Sequence, residues 1–423
     1  MRIIDTALPR GRTLFDNSRF HFKRQNMGHS EARVVEGLVR PRLKIAIVTE
    51  TWSPELNGVA LSLLQICKGL QRMGHKILLV RPYQKEKCLD FSPNKECFVH
   101  GQMIPKYSQM QFGWPEYLKV SKAFDAFMPD LIHVVTEGPL GLAVLQSAKS
   151  RNIPVTSGFH SAFHDFSRFY DLAFLLKPIQ RYLKWFHNNT QLTCVPSQDT
   201  AEAILNFGVT CPIEVIKTGV DVEKFSPQFR SEMLRRSWGA CEKTTVMLYV
   251  GRLSPEKEIQ VLIETYMSMQ NKIGKKQKLI IVGDGPDRAR LEKIAQQSGV
   301  VFTGSLKGAQ LAEVFASSDV FVFASQVETF GNVVLEAMAS ALPVVAYDYA
   351  AAKLHLDVET SWLCPLGHKQ QFIRNMQQLP DIKILHAMGR QAMKNVQSVG
   401  WDHCIQQLEQ AFYRVVQETE LTA

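Results

Sequence analysis

The chain has 423 residues, of which 45% are hydrophobic and 21% are charged, and its formal net charge is +9. This length suits two domains with well-developed cores, or three, and the composition is typical of a soluble globular protein. No uninterrupted apolar run approaches the roughly 18 residues of a transmembrane helix, and the start of the chain lacks the apolar core of a secretory signal. The eight cysteines are scattered without a C-x-x-C pair, so the pattern indicates reduced thiols rather than a zinc site or disulfides.

The first 42 residues form a basic arm. They carry nine Lys/Arg against four Asp/Glu, which gives them +5 of the net charge. A disordered basic tail is the favoured interpretation, while a membrane-surface contact and a segment upstream of a later start such as Met27 stay open. No zinc finger, basic zipper or aromatic RNA-binding signature follows, so nucleic acid is not an expected partner.

Short apolar strands alternate with helical patterns from Leu43 onward. The first run, LKIAIVT, is followed by a helical repeat over 57–74 that ends in Gly74, a common C-terminal cap. Further strands are predicted at 75–82, 130–135, 153–158 and 191–196. This alternation favours a parallel sheet with helices on both faces.

The second half repeats the same organisation. Strands are predicted at 245–250, 278–283, 300–304, 320–324 and 342–347, and helices at 257–271, 286–297, 308–317 and 332–341. The near-continuous apolar strands fit a sheet that is covered on both faces. Residues 213–227 contain turn residues without sustained periodicity, and we interpret them as the connection between domains. A closing amphipathic helix is predicted over 401–419.

The predicted fold class is therefore α/β, with two doubly wound Rossmann-like domains that face each other across a cleft. The predicted boundaries are 1–42 for the arm, 43–215 for an acceptor-side domain, 216–400 for a donor-side domain, and 401–423 for a C-terminal helix that crosses back to the first domain. In open parallel sheets, ligands bind beyond the carboxyl ends of the strands. The segments that follow the strands are therefore the candidate site.

The stretch GRLSPEK supplies two cations after a strand. Arg252 and Lys257 lie five residues apart across a turn that contains proline. An arginine fork together with a lysine point charge suits a diphosphate better than a single carboxylate. Two solvated surface cations are an equally supported reading of this stretch alone.

The stretch ETFGNVVLE predicts a turn from a strand into a helix. Thr329, Phe330 and Gly331 form the turn, and Gly331 permits a ligand to approach the backbone closely. Asn332 is a candidate N-cap residue, which would leave free amides for phosphate oxygens.

Two carboxylates flank that turn. Glu336 lies about four residues into the helix, roughly 6 Å along its axis, where it can accept hydrogen bonds from a ribose diol. Glu328 precedes the turn and can accept hydrogen bonds from sugar hydroxyls. A carboxylate that favours the helix dipole and a salt-bridged glutamate in mid-helix explain each residue separately, but not the pair.

Histidine and glycine motifs provide weaker signals. His160 in GFHSAFHDF lies just past a strand, but a lone histidine is more often structural than catalytic. His164 four residues later raises metal binding, yet no third ligand beyond Asp165 is evident, so no metal site is predicted. In GDGPDR, Arg288 takes the third glycine position of a dinucleotide fingerprint, so a nicotinamide or flavin enzyme fits poorly.

Together these motifs resemble the retaining nucleotide-sugar glycosyltransferases of the GT-B fold, family four. The resemblance rests on GRLSPEK, GDGP, VFTG and the two glutamates with seven residues between them, and it runs from about Leu43 to the C-terminal helix. Three further stretches look most like the branch of GDP-mannose-dependent α-mannosyltransferases and sulfoquinovosyl-diacylglycerol synthases: TETWSPELNGVALSL, FHSAFHDFSRFYDL and PVVAYDYAAAK.

The resemblance implies a role for each matched position. Arg252 and Lys257 would hold the donor diphosphate and stabilise the leaving nucleotide, whereas Glu336 would bind the ribose and Glu328 the transferred sugar. The other implied contacts are His160 beside the reacting carbon, Gly58 at the phosphates from the opposing domain, Gly283 and Gly304 at the nucleotide, and the turn of Thr329, Phe330, Gly331, Asn332 and Val333 along the phosphates and ribose.

The chain departs from the family pattern at three places after the second glutamate. Ala341 replaces a frequent glycine, AAAKLHL at 350–356 replaces the usual Gly-Gly and Glu, and DVETSW at 357–362 replaces a D-G-x-N-G turn. The branch shares the alanine run, so activity is still expected, but contacts at the altered turn are in doubt.

The implied activity is transfer of a mannose- or glucose-type hexose from a GDP or UDP sugar to a lipid or glycan acceptor. No cofactor is expected, and the absence of a D-x-D motif at a strand end fits a metal-independent enzyme. A degenerate nucleotide-sugar-binding module of the same fold is the alternative. A phosphorylase is disfavoured because no lysine stands in a recognisable pyridoxal phosphate context.

A basic, aromatic stretch over 166–189 bears on localisation. As an amphipathic helix, this stretch would present a basic, aromatic face that suits docking on an anionic membrane surface. A helix that packs in the core and is interrupted at Pro178 is the alternative, and the two are equally supported. With the basic arm, it leads us to expect a cytoplasmic enzyme, peripheral on a membrane.

Overall fold

The computed structural model describes residues 32–35, 38–53, 58–85, 90–104, 107–160, 176–270, 276–328 and 330–422. The chain divides into two units, Met1–Arg42 and Leu43–Ala423. In the first unit, β1 (Ala32–Val35) pairs antiparallel with β2 (Leu38–Pro41). These valine-containing segments flank Glu36-Gly37 and favour extended backbone, so this part of the arm differs from the expected disordered tail. The rest of the arm lies outside the described residues.

The second unit begins with a parallel sheet. Its strands are β3 (Lys44–Val48), β4 (Lys76–Pro82), β5 (Lys95–Val99), β8 (Leu131–Val134), β9 (Val155–Gly158), β10 (Leu192–Val195) and β11 (Ile213–Val215). They lie in the order β11-β10-β9-β8-β3-β4-β5, and neighbouring strands pair in parallel. A separate antiparallel pair is formed by β6 (Gly101–Ile104) and β7 (Tyr107–Gly113).

Helices connect the strands of this first sheet. They are α1 (Gly58–Arg72), α2 (Tyr117–Phe127), α3 (Pro139–Lys149), α4 (Leu176–His187) and α5 (Gln198–Asn206). Local sequence explains where they begin: α3 has Pro139 at its first position, and the Ser197 hydroxyl accepts a hydrogen bond from the Thr200 amide at the start of α5.

A second parallel sheet follows. Its strands are β12 (Thr244–Val250), β13 (Lys276–Val282), β14 (Val301–Gly304), β15 (Val320–Phe323), β16 (Val344–Tyr347) and β17 (Ser361–Cys364), in the order β14-β13-β12-β15-β16-β17. The helices are α6 (Glu232–Ser237), α7 (Ile259–Gln270), α8 (Arg288–Ile294), α9 (Gly308–Ala316), α10 (Asn332–Ala339), α11 (Ala350–His355), α12 (Lys369–Gln377), α13 (Ile382–Val396) and α14 (Trp401–Thr422).

The predicted α/β class with two parallel sheets is confirmed. Strands such as β15 and β16 are buried along their whole length, which is why their sequences are continuously apolar. One local interpretation needs correction: the segment 213–227 begins with the edge strand β11. The altered stretch at 357–362 contains a turn and then runs into β17, which pairs with β16.

The C-terminal helix α14 packs on the first sheet region. Ile405 and Phe412 belong to the same buried cluster as Leu63 of α1. The His75 Nε2 and Glu409 Oε1 atoms lie 2.8 Å apart, and both side chains are almost completely buried. The helix therefore completes the core of a region that lies far from it in sequence.

An ionic network closes the amino-terminal edge of the second sheet. Asp319 is fully buried, and it accepts hydrogen bonds from Arg235 Nη1 at 2.9 Å and from the Val246 amide at 2.8 Å. Arg230 and His386 approach its other oxygen, each at 3.1 Å. Burial raises the pKa of this carboxyl, but the His386 hydrogen bond and the Arg235 charge outweigh it and lower the pKa below its usual value.

Candidate active site

The carboxyl edges of the two sheets meet through a contact between α1 and α10. Asn332, the first residue of α10, donates through Nδ2 to the Ser62 hydroxyl of α1 at 2.8 Å. Its Oδ1 accepts a hydrogen bond from Thr218 Oγ1 at 3.0 Å. Because α1 follows β3 and α10 follows β15, this contact brings the two ligand-binding edges of a doubly wound architecture together.

The turn before α10 differs in one respect from the prediction. Gly331 is the N-cap residue, and it has φ 90°, a left-handed conformation that favours glycine. The Asn332 side chain therefore does not cap the helix. Phe330 is buried, and its carbonyl accepts a hydrogen bond from the Ala351 amide at 2.7 Å. Val333 packs against the core, and Thr329 lies outside the described residues.

Lys257 and Glu328 come together as an ion pair. Lys257 ends a short 3-10 turn, Pro255–Lys257, after β12. Its Nζ lies 2.5 Å from Glu328 Oε1, and it also donates to Ser325 Oγ at 3.1 Å and to the Val327 carbonyl at 2.8 Å. The two charged side chains are 13% and 17% exposed, so the pair is screened from most solvent yet still open to a ligand.

Arg252 lies in the same loop as Lys257. Its carbonyl accepts a hydrogen bond from the hydroxyl of Tyr249 on β12 at 3.0 Å, which fixes the backbone where the loop leaves the strand. The Arg252 side chain is half-buried. The convergence of its guanidinium with Lys257 on a diphosphate stays a prediction.

Glu336 lies on α10, one turn above the Gly331 cap, and is half-buried. Within the described part of the chain, its carboxylate forms neither a hydrogen bond nor an ion pair. Burial raises its pKa from 4.5 to about 7, and the charge of Lys224 offsets only part of this effect. A carboxylate held in this way is ready to accept hydrogen bonds from a ligand.

The glycines that were predicted to bind the donor differ in their local environment. Gly283 has φ 138°, its amide donates to the Gly304 carbonyl at 2.9 Å, and a side chain there would strike the Gly251 carbonyl. Close backbone packing thus requires this glycine irrespective of ligand. Gly304 has φ 74°, and Arg288 Nη1 lies 3.4 Å from the place of a Cβ atom. Gly58 is exposed at the start of α1, with no described atom within 4 Å of its Cβ position.

His160 follows β9 at the carboxyl edge of the first sheet. Its Nε2 lies 2.6 Å from the place where Gly158 would carry a Cβ atom, so the ring folds back over the strand end. Burial lowers the pKa of His160, the charge of Glu137 raises it in part, and His187 lowers it further. His164 and Asp165 lie outside the described residues. Elsewhere, the described side chains contain no cluster of three or more groups suited to a metal ion.

Several contacts around the site were not predicted. Ser325 lies two residues after the end of β15, and a hydroxyl just past a strand end is a local signal in the sequence. Tyr349 donates from its hydroxyl to the Glu328 carbonyl at 3.0 Å, and Ser62 and Thr218 hold Asn332. These last three act on residues distant in sequence, so no local pattern reveals them.

Comparison with known proteins supports the same interpretation. Residues 244–381 match the family model Glycosyl transferases group 1, and residues 56–224 match Glycosyltransferase Family 4. The chain is 32% identical over 371 residues to the GDP-mannose-dependent alpha-mannosyltransferase of Mycobacterium tuberculosis (strain CDC 1551 / Oshkosh), across 84% of this chain and 92% of the relative.

Two further relatives bear names that include other glycosyl groups. Sulfoquinovosyl transferase SQD2 of Arabidopsis thaliana is 31% identical, across 74% of this chain and 60% of its own length. Alpha-monoglucosyldiacylglycerol synthase of Streptococcus pneumoniae (strain ATCC BAA-255 / R6) is 27% identical, across 72% and 71%. Among solved structures, sucrose-phosphate synthase from Thermosynechococcus elongatus has the same fold, with a TM-score of 0.74 at 20% identity, across 89% of this chain and 100% of that one.

Proposed function

Because the chain belongs to glycosyltransferase family 4 and is a glycosyltransferase of the GT-B type, we propose that it transfers a mannose- or glucose-type hexose from a nucleoside diphosphate to a lipid or glycan acceptor. We further propose that transfer retains the anomeric configuration and needs neither a metal ion nor another cofactor. The observation that carries this proposal is the meeting of Lys257 and Glu328 at the carboxyl edge of the second sheet.

The charges at this edge match those of the reaction. Departure of a nucleoside diphosphate builds negative charge on the β-phosphate, and a fixed cation stabilises that charge without further reorganisation. Lys257 is already held by Ser325 and the Val327 carbonyl, so it keeps its place when a phosphate competes for its ammonium group. Arg252, from the same loop, supplies the second positive charge.

Both glutamates then have separate tasks. Glu328 is positioned by Lys257, and its backbone carbonyl is held by Tyr349, so its carboxylate can accept from hydroxyls of the transferred sugar. Glu336 lies one turn into α10 and has an available carboxylate for the ribose diol. The acids thus bind neutral hydroxyl groups on either side of the phosphates, where they avoid repulsion between like charges.

Hydrolysis of a sugar nucleotide tests this assignment against a binding module without activity. We expect slow release of nucleoside diphosphate by the wild type, and its loss in Glu328→Gln and Lys257→Ala. A thermal-shift series with UDP, GDP, ADP and their hexose conjugates identifies the donor. Stabilisation by a nucleotide sugar without hydrolysis or transfer to any acceptor would favour the binding module.

The exposed face of α4 supports a membrane-surface acceptor. Lys177, Arg181, Lys184 and Trp185 are exposed on this helix, whereas Phe186 is buried in the core of the first sheet region. Pro178 lies in the first turn and does not interrupt the helix. The helix therefore combines a core-packing face with a basic outer face, a combination suited to anionic lipid headgroups. Residues 166–175 of the predicted stretch lie outside the described part.

Liposome binding tests the membrane contact. No helix among the described residues is both long and apolar enough to cross a bilayer, so binding would occur at the surface. We expect sedimentation with anionic but not neutral vesicles, and its loss when Lys177, Arg181 and Lys184 are changed to Glu. The matched control reverses three exposed cations of α13: Lys383, Arg390 and Lys394. Equal loss in both triple variants would indicate a non-specific charge effect.

A further inference from the structure

A buried pair of titratable side chains lies near the strand end that leads to His160: the His187 ring packs on Phe159, the residue before His160, with ring centroids 5.5 Å apart. Glu137 follows β8 and His187 ends α4, and their side chains are 3% and 0% exposed. The Glu137 Oε1 and His187 Nε2 atoms lie 3.4 Å apart. A carboxylate in such surroundings costs free energy unless neighbouring groups stabilise it, and a structural core position would be filled more favourably by an apolar residue.

His187 is oriented from its other side by hydroxyl groups. Its Nδ1 lies 2.9 Å from Ser157 Oγ and 3.2 Å from Thr193 Oγ1. Ser157 lies on β9, three residues before His160, so the same strand that carries the hydroxyl leads directly to that histidine. With hydroxyls at Nδ1 and a carboxylate toward Nε2, the His187 ring has one preferred orientation.

His160 itself lies against the same strand end. Its Nε2 is 2.6 Å from the position of a Gly158 Cβ atom, and the Nε2 of His133 on β8 is 3.6 Å from that position. The Tyr182 hydroxyl donates to the Glu137 carbonyl at 2.5 Å, which fixes the backbone of the acid. Among the described residues, the titratable groups that act on Glu137 or His160 are His133 on β8, Glu50 after β3, and Tyr182 and His187 on α4.

We propose that Glu137, supported by His187, is a positioning residue that keeps the His160 ring in place beside the reacting sugar carbon. This inference rests on the proposed function, since it gives His160 a place beside the transferred sugar. Glu137 touches neither donor nor acceptor in this scheme. It acts through its negative charge, which bears on the imidazole of His160.

The charge balance explains why such a residue is useful. A sugar carbon that loses its leaving group develops positive charge, so a protonated imidazole beside it would be repulsive. Burial favours the neutral form of His160, and the Glu137 charge limits how far the pKa falls. The neutral form of the ring is therefore favoured, while the negative charge of Glu137 favours the positively charged transition state.

Glu137→Gln tests the proposal because it removes the charge and keeps the shape. We expect kcat to fall about tenfold or more, with KM for the nucleotide sugar within about twofold, since Lys257 and Glu336 are untouched. The acidic limb of the kcat profile should move to lower pH, because loss of the carboxylate lowers the pKa of His160. Glu137→Asp should restore most of the limb.

His187→Asn provides a test of opposite sign that does not depend on the first variant folding. His187 lowers the pKa of His160, so its removal should move the acidic limb to higher pH. A further measurement combines Glu137→Gln with His160→Asn. If Glu137 acts through His160, the double variant should be no slower than His160→Asn alone.

Asp130→Asn is the matched control, because Asp130 precedes the same strand at its opposite end and accepts a hydrogen bond from the Lys44 amide at 2.6 Å. It should leave the pH limb unmoved, because it also removes a partly buried carboxylate but lies away from His160. An unmoved limb in Glu137→Gln and His187→Asn, or multiplicative losses in the double variant, would overturn the inference while the enzyme itself stays active. A wild type that neither transfers nor hydrolyses any nucleotide sugar would instead overturn the proposed function.

Discussion

The two sheet regions hold their charged groups in different ways. In the second, Lys257 with Glu328 and Arg235 with Asp319 form short ion pairs, and Glu336 stands apart from them as a carboxylate whose pKa burial raises. In the first, the carboxyl edge holds groups whose charged forms burial disfavours: the pKa of His133 is lowered to about 3, and that of Glu50 is raised to about 7. Fixed charge suits a diphosphate, whereas groups whose charge is suppressed by burial suit a reacting sugar and a hydroxyl acceptor.

The largest expected effect concerns the fixed charges of the second region. Asp319→Asn leaves the guanidinium of Arg235 buried with a weaker partner, so we expect the free energy of unfolding to fall by about 3–5 kcal/mol. Urea unfolding at pH 7 measures this loss, and Glu242→Gln, at an exposed position, is the control. A loss below about 1 kcal/mol would mean that the network is not needed for stability.

The next largest effect is on activity, and it concerns the loop that carries Arg252 and Lys257, here called the donor loop. Lys257→Ala removes the cation that meets the leaving phosphate, so kcat should fall about 10²- to 10³-fold, comparable with the loss of one transition-state donor elsewhere. Steady-state release of nucleoside diphosphate measures it. Lys293→Ala changes an exposed lysine of α8 and should leave the rate unaltered. Similar rates for both variants would remove the donor loop from the chemistry.

An effect of intermediate size is a change in folding stability that depends on pH because of Glu336. Its folded-state pKa of about 7 lies above its usual 4.5, so its contribution to stability is present below pH 4.5 and is lost as pH rises through 7. Glu336→Gln should therefore gain stability relative to the wild type between pH 5 and 8, by about 1–2 kcal/mol after solvent screening. Melting curves of the wild type and of Glu336→Gln at pH 5 and at pH 8 measure this difference in stability.

The same residue predicts a pH dependence of donor binding. An ionised Glu336 accepts hydrogen bonds from the ribose better than a protonated one, so donor affinity of the wild type should weaken as pH falls from 8 to 6. Calorimetric titration with the nucleoside diphosphate should show this slope, and the slope should flatten in Glu336→Gln. An unchanged slope in the variant would assign the dependence to another group.

The smallest expected effect lies at the contact between the two regions. Ser62→Ala and Asn332→Ala each remove the hydrogen bond between α1 and α10, and a double-mutant cycle should give a coupling of about 0.5–1.5 kcal/mol in stability. Thermal unfolding of the two single variants and the double variant measures it. Strict additivity would show that the two regions do not stabilise each other through Asn332.

Much of the fold and part of the site could be predicted from sequence because they depend on local patterns. Alternating apolar strands and helices identified both sheets, and the loops that carry Lys257 and Glu328 each follow a strand, so the parallel topology brings them together. The edge strand β11 was missed because Ile213–Val215 is short and only half-buried. The assignment of Asn332 as a cap failed because its true partner, Ser62, is 270 residues away.

The acid behind His160 shows the limit more clearly. Glu137 lies after β8, His187 on α4 and Ser157 on β9, and nothing in their individual surroundings in the sequence marks them as a group. Only the parallel pairing of β8 with β9, and the packing of α4 beneath them, places them side by side. Networks that depend on tertiary contact in this way are invisible to motif reasoning.

The return of α14 to the first sheet region has a consequence for biosynthesis. Ile405, Leu408 and Phe412 fill the core beside α1, and Glu409 meets His75, so the earliest-made sheet lacks part of its interior until the end of the chain is synthesised. During synthesis on the ribosome, this region stays incompletely folded while the second sheet emerges and folds first. A stop codon before residue 401 would thus harm the beginning of the protein more than its middle.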